Sequence, residues 1–222
     1  MQLKPTDFYK HSMSIDYKLN YGGVRMMILR KKNYLTFFIA LIMLVTVPIA
    51  HAQSISDAKA KVDEMPDDPP RHYNLGIAYY KDGQYSDAIA ALKKAVELKG
   101  DYKEAYYMMG LSQQKIGQSS NAIKSLKQAT QIDASYADAH AALASSYGKI
   151  KSNNNAIRSY RAAIRINGKK AMWHYNLGIL YQTREDYTNA IKSYESYLKL
   201  APRARNAKSI RTIVEQMKDA IK

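Results

Sequence analysis

Among the residues of this chain with the chemical range to act on a ligand, the histidines come first. His72, His140 and His174 fall in one column of a 34-residue period, with Tyr106 in the remaining place. Three imidazoles suggest a zinc site. Residues in equivalent places on successive helical units, however, lie at least about 8–10 Å apart, whereas a zinc–nitrogen bond is about 2.1 Å. They cannot share an ion, so the expectation is packing and no metal. The carboxylates Asp67, Asp68, Glu185 and Asp186 fall at unit boundaries and turns, where helix capping and solvation account for them. The chain has no cysteine, which removes disulfides, thiolate metal sites, cysteine nucleophiles and a lipid-anchoring cysteine. There is no phosphate-cradling glycine loop with its lysine, no His-Glu-x-x-His, and no serine set beside a histidine and a carboxylate. No catalytic residue, metal or cofactor is therefore expected, and the chain does not read as an enzyme.

The elements that would position these side chains follow from the same period. Leu75-Gly76, Met109-Gly110, Leu143-Ala144 and Leu177-Gly178 are in phase, as are Ala88-Ile89, Ala122-Ile123, Ala156-Ile157 and Ala190-Ile191. Tyr79, Gln113, Tyr147 and Tyr181 make a third column, and Ala95, Ala129, Ala163 and Tyr197 a fourth. Each unit reads as two helices. Tyr73 to Tyr80 belongs to the first, which stops at Lys81-Asp82-Gly83-Gln84. Ser86-Asp87 opens the second, whose apolar residues Ala88, Ile89, Leu92, Ala95 and Val96 form one buried stripe. The small residues of the first two columns let the paired helices approach closely.

This pattern resembles the tetratricopeptide repeat: a large residue, then Leu-Gly-x-x-Tyr, then Gly-x-Tyr-x-x-Ala-Ile, then Ala and a closing Pro or Gly. It runs from Pro69 to about Pro202. The departures are Gln113 in a tyrosine place, Lys151-Ser152-Asn153-Asn154 where the inter-helix glycine belongs, and Tyr197 where a small residue is usual. The resemblance implies an all-α, right-handed superhelical solenoid of about four helix-turn-helix units. It also implies that the histidine column holds bulky packing residues. Ile210, Ile213, Val214, Met217 and Ile221 mark an amphipathic helix that caps the stack, and residues 55–65 a weaker one at the other end. The expected divisions are 53–68 for the first cap and linker, then repeats over 69–102, 103–136, 137–170 and 171–204, then 205–222 for the second cap.

In the family, first helices line a concave groove. Carried onto this sequence, the groove positions are Tyr73, Asn74, Ile77, Tyr80 and Lys81, then Tyr107, Leu111, Gln114 and Lys115. Ala141, Ser145 and Lys149 follow, and then Tyr175, Asn176, Ile179 and Gln182. The chain has 19 Tyr against 3 Phe and 1 Trp, so this wall is one of amphipathic, rigid anchors with lysines at one rim. Tyr, Ile, Leu and Ala occupy the places of the charged clamp that grips acidic C-terminal tails in chaperone-type members, so no such clamp is expected. The asparagine ladder survives only at Asn74 and Asn176, with Met108 and Ala142 between.

Upstream, Arg30-Lys31-Lys32, the apolar run from Leu35 to Val47 and Ala50-His51-Ala52 form the three parts of a secretory signal peptide. Residues 26–52 are expected to be that signal, cleaved after Ala52, and the mature protein to be periplasmic. Left uncleaved, residues 35–50 would anchor it to a membrane. Residues 1–25 read as an unstructured extension, explained most simply by a start codon assigned too far upstream. The formal net charge of +15 is concentrated beyond Ala105. Lys93, Lys94, Lys124, Lys127, Arg158, Arg161, Arg165 and Lys192 fall on second helices, as a solvated outer face.

Repeat type and export together point to an adaptor or scaffold that binds another protein or a peptide in its groove, during assembly of a cell-envelope complex. Two alternatives stay open. One is a module binding polyanions or anionic membrane through the basic C-terminal half, and the other is a non-catalytic subunit docked on an enzyme. No nucleic-acid partner is expected, and the oligomeric state is not written in the sequence.

Overall fold

Periodic apolar residues separated by three-residue turns can bury their stripes only by folding each helix back on the one before it. The computed structural model describes residues 54–222. The expected signal segment and the extension before it lie outside the described residues. Helix α1 covers residues 54–64. It is followed by α2 (Pro69–Lys81), α3 (Tyr85–Leu98), α4 (Lys103–Lys115), α5 (Ser119–Ile132), α6 (Ala137–Lys149), α7 (Asn153–Ile166), α8 (Ala171–Thr183), α9 (Tyr187–Leu200) and α10 (Ala207–Ala220). No strand is present among the described residues, and no described helix is long and apolar enough to cross a membrane.

Within each pair the helices meet where a side chain has been omitted. A Cβ added at Gly76 would lie 2.5 Å from Leu92 Cγ, one at Gly110 would lie 2.5 Å from Leu126 Cγ, and one at Gly178 would lie 2.7 Å from Tyr194 Cδ1. Ala144 holds the equivalent place in the third pair, fully buried. Leu92, Leu126, Tyr160 and Tyr194 thus form a fifth column in phase, a large residue from the second helix seated on the small one. Ala88, Ala122, Ala156 and Ala190, all fully buried, bring the other helix in from its side.

The turns inside the pairs share one clip. The Gln84 amide donates to Tyr79 O (2.9 Å), Gln118 to Gln113 O (2.9 Å), Ser152 to Tyr147 O (2.9 Å) and Asp186 to Tyr181 O (3.0 Å). This closure needs a left-handed residue just before the donor. Gly83 (φ 82°) and Gly117 (φ 77°) supply it freely. Where glycine is missing, Lys151 (φ 57°) and Glu185 (φ 58°) are driven into the same conformation. The second helix of the first pair starts at Tyr85, ahead of the Ser86-Asp87 start expected from sequence, because the clip already sets the chain direction at Gln84. Asp186 is the second-helix N-cap whose side chain accepts a backbone N–H, from Asn189 at 3.2 Å.

Successive pairs stack so that α2 touches α4 and α4 touches α6 more extensively than α3 touches α5 or α5 touches α7. The first helices of the first three units are therefore crowded together and their second helices spread, which makes α2, α4 and α6 the inner wall, while α8 meets α6 less closely. The junction of α7 with α8 is looser than those of α3 with α4 and α5 with α6. At the ends, Ile55 of α1 packs on Leu75, Ala78 and Ala91. Tyr197, the large residue in a column of alanines, is buried against Ile210, Val214 and Met217 of α10, and its hydroxyl bonds Asn206 Oδ1. Of the apolar residues expected to seat α10, Ile221 does not, being 50% exposed past the helix end.

Two substitutions check this account in chemical denaturation. Gly110→Val should lower stability by about 1–3 kcal/mol through overpacking against Leu126. Lys151→Gly should raise it by about 0.5–1 kcal/mol, the left-handed cost removed less the entropy cost of glycine.

Candidate functional site

An inner wall built from first helices presents the residues one turn apart on α2, α4 and α6, and the expected groove continues onto α8. Tyr73 and Tyr107 are half-buried, and each ring lies against the tyrosine that ends its own unit: Tyr73 with Tyr102 at 5.1 Å and Tyr107 with Tyr136 at 5.0 Å between centroids. Tyr80 meets Tyr85 edge-on at 5.4 Å. Tyr102 and Tyr136 were not among the expected groove residues, although their spacing repeats the period. In the fourth unit the ending tyrosine is absent. Tyr175 packs instead on Tyr194 (6.1 Å) and Tyr197 (5.2 Å), so its ring belongs largely to the core beneath α10.

The other expected groove residues divide. Asn74, Ile77 and Lys81 line a recess of about 490 Å³ between α1 and α2. Leu111 is half-buried against the cluster holding Leu126 and Leu143. Lys115 and Ile179 are exposed, and Lys149, also exposed, donates from Nζ to the Gln114 carbonyl at 3.2 Å. Ser145 is half-buried, whereas Ala141 is buried against Ile157, Tyr160 and Leu177 and offers nothing to a ligand. Three polar residues are already engaged across helices. Gln114 Nε2 donates to Ala142 O (2.8 Å) and Ser146 Oγ (2.6 Å). Asn176 donates to Tyr160 Oη at 3.0 Å, and Gln182 Oε1 accepts from the Tyr194 hydroxyl at 2.7 Å. These bonds tie helices together, so three of the expected groove positions are taken up by structure.

The wall of the first three units is edged with charge the sequence reading did not single out. Lys103 Nζ lies 2.7 Å from Asp133 Oδ2 and 3.8 Å from Glu104 Oε1, and 5.7 Å from the centroid of the Tyr136 ring. The hydrogen bond from Lys103, with those from Ser135, lowers the Asp133 carboxyl to about 2. Burial, then the nearby Asp138 carboxylate and the Tyr80 and Tyr73 hydroxyls, pushes the Tyr107 hydroxyl up to about 12. Burial and then Tyr107 and Glu104 raise Tyr136 as well. These tyrosines stay neutral at ordinary pH and act as hydrogen-bonding, ring-faced anchors.

The histidine column has a job besides packing. His72 Nε2 donates to Pro66 O (2.7 Å), His140 Nε2 to Ala134 O (3.0 Å) and His174 Nε2 to Gly168 O (2.9 Å). A carbonyl can only accept, so Nε2 carries the proton in each and is not free to ligate a metal. Each imidazole pins the turn leading into its own helix. Among the described residues no group of His, Cys, Asp or Glu is placed to hold a metal. Asp186 caps α9, Asp68 pairs with Arg71 at 3.3 Å, and Asp67 and Glu185 are exposed.

A tyrosine whose pKa is raised by folding leaves stability intact below its unfolded value and removes it as pH climbs toward the folded one. Melting temperature should therefore fall steadily between pH about 10 and 12, and Tyr107→Phe should make that fall shallower. An unchanged slope would mean that burial does not hold this hydroxyl neutral.

Models of the tetratricopeptide repeat match residues 103–136 and 141–205, and a further TPR repeat model matches residues 78–117. No curated protein sequence matches the chain. Among solved structures, a crystal structure of MamA is 28% identical, with a TM-score of 0.65 over 67% of this chain and 87% of that one. MamA 41-end from Desulfovibrio magneticus RS-1 is 20% identical, with a TM-score of 0.65 over 80% and 99%. YrrB, described as a TPR protein with an unusual peptide-binding site, is 16% identical, with a TM-score of 0.64 over 82% and 94%. Residues 78–136 and 141–205 of this chain are thus tetratricopeptide repeats, stacked as a helical solenoid.

Proposed function

We propose that this protein is an exported adaptor without catalysis of its own, which holds a partner protein or peptide against the inner wall of its solenoid during assembly of a cell-envelope complex. The observation that carries the binding role is the wall itself. Tyr73, Tyr80 and Tyr107 are half-buried, as are the aliphatic Ile77 and Leu111, and the lysines that end these helices, Lys81, Lys115 and Lys149, are exposed. Rigid rings already seated on a neighbour lose little freedom when a partner arrives. The likeness to YrrB supports a peptide-sized occupant, since that protein is described by its peptide-binding site. Export is supported by the basic, apolar and small-residue segments that end at Ala52.

The test uses the full chain, tagged at its C-terminus, as bait in its native extract, beside the variants Ile77→Asp and Ile179→Asp. Ile77 borders the recess between α1 and α2 and Ile179 is 39% exposed, so helicity and melting should stay close to those of the parent. A partner seated in the groove should be lost at least tenfold from the variant pull-downs, because a charge would be buried against its apolar face. Equal recovery with parent and variants would sink the groove reading. The bait recovered from the envelope fraction should begin at Gln53; a chain retaining residues 26–52 would count against cleavage.

A further inference from the structure

The outer face of the third and fourth units holds a second surface, separate from the inner wall and independent of any reading of it. Between α7 and α9, with α8 as floor, runs a furrow of about 550 Å³. It shares Arg158, Arg161, Tyr181 and Asn189 with an adjoining recess of about 530 Å³. It lies at the junction of α7 with α8, which is looser than those of α3 with α4 and α5 with α6. Arg158, Arg161 and Arg165 stand along one wall, Lys192 is on the other, and Ile164 and Tyr181 supply apolar floor. From Arg158 to Arg165 is about 10 Å along the helix axis.

Among the described residues, no carboxylate is paired with any of these four cations. Arg158 bonds the neutral side chain of Asn155. The carboxylate that lines the adjoining recess, Asp186, already accepts from Asn189 N (3.2 Å) and Asn189 Nδ2 (2.8 Å) at the start of α9.

A face that only needs hydration mixes lysine with acids, and the first and fourth units do so in this register. The places of Arg158, Arg161 and Arg165 are held by Ala90, Lys93 and Glu97 in the first unit and by Lys192, Glu195 and Lys199 in the fourth. There Lys93 pairs with Glu97 at 3.7 Å and Glu195 with Lys218 at 3.1 Å. In the second unit the set is Lys124, Lys127 and Gln131. The third unit alone stacks three arginines, at the seam where the wall is open. Like charges one turn apart repel, and an incoming anion relieves that repulsion. The guanidinium fork matches a planar carboxylate through two parallel hydrogen bonds, which a lysine cannot make.

The floor decides among anions. A bare phosphate chain has nothing to place on Ile164 and Tyr181, and a flat bilayer surface meets the helix ridges before it reaches the floor between them. We propose that this furrow docks an acidic segment of a partner protein, with carboxylates on the α7 arginines and Lys192 and an apolar side chain against Ile164 and Tyr181.

The experiment measures fluorescence anisotropy of the full chain with a labelled peptide of alternating glutamate and leucine, about ten residues long. Parallel arms use polyphosphate of equal charge and vesicles containing phosphatidylglycerol. The peptide should bind, and its affinity should fall at least tenfold between 50 and 300 mM salt. Arg161→Glu with Arg165→Glu should abolish binding while the circular dichroism spectrum is kept. Arg161→Lys with Arg165→Lys should weaken it severalfold, since the charge remains and the fork is lost, and Ile77→Asp should leave it unchanged. The proposal is overturned by absence of peptide binding, by polyphosphate binding as tightly as the peptide, by co-sedimentation with vesicles in place of peptide binding, or by equal affinity in the charge-reversal variant.

Discussion

Close approach of the two helices in each unit is the constraint on which everything else rests. Gly76, Gly110, Ala144 and Gly178 leave a hollow, and Leu92, Leu126, Tyr160 and Tyr194 fill it. The pair becomes a single slab that can be stacked. Stacking then fixes which helices crowd inward and which splay outward, so both proposed surfaces descend from one steric omission repeated along the chain. Where the filler changes from leucine to tyrosine, the slab gains a hydroxyl that must find a partner. The Tyr160 hydroxyl accepts a hydrogen bond from Asn176 and the Tyr194 hydroxyl donates one to Gln182, which draws two first-helix polar residues out of the groove and into structure.

The two faces differ in kind. The inner wall of the first three units is tyrosine edged by Glu104 and Asp138, with Lys103 bound to Asp133 and laid near the Tyr136 ring. The furrow between α7 and α9 on the outer face is lined by arginine and lysine with no carboxylate. The separation follows from the architecture, because a first-helix residue and a second-helix residue reach opposite sides of the slab, and their sequences can drift toward different partners without interfering.

The fold was legible because its signals are periodic and local. The columns of small and apolar residues place every helix pair, and the tyrosine in the last alanine column correctly marks a different neighbour at that end. The clip inside each pair was less so: Lys151 and Glu185 carry none of the glycine signal, yet they take the left-handed geometry since the surrounding turn dictates it. The site was legible as a face and not as a set of side chains. Position on a helix says which way Gln114, Asn176 and Gln182 point, but not that a carbonyl or hydroxyl on the adjoining helix stands within reach. Tyr102 and Tyr136 were visible as a repeated spacing and were passed over because they lie at the end of a unit, in the link between helices. The histidine clip depends on a carbonyl six residues upstream, a contact through space that no pattern of residue types encodes.

A linear array distributes its cohesion seam by seam, since each slab touches only its neighbours. Among the junctions between slabs, that of α7 with α8 is the loosest, and beyond it lie the fourth slab and α10, which meet at Tyr197. The fourth slab can part from the third at lower free energy than the other slabs part from one another, without melting internally. The molecule therefore has a built-in articulation two thirds of the way along, and the angle between its long and short arms is set by the packing at that one joint.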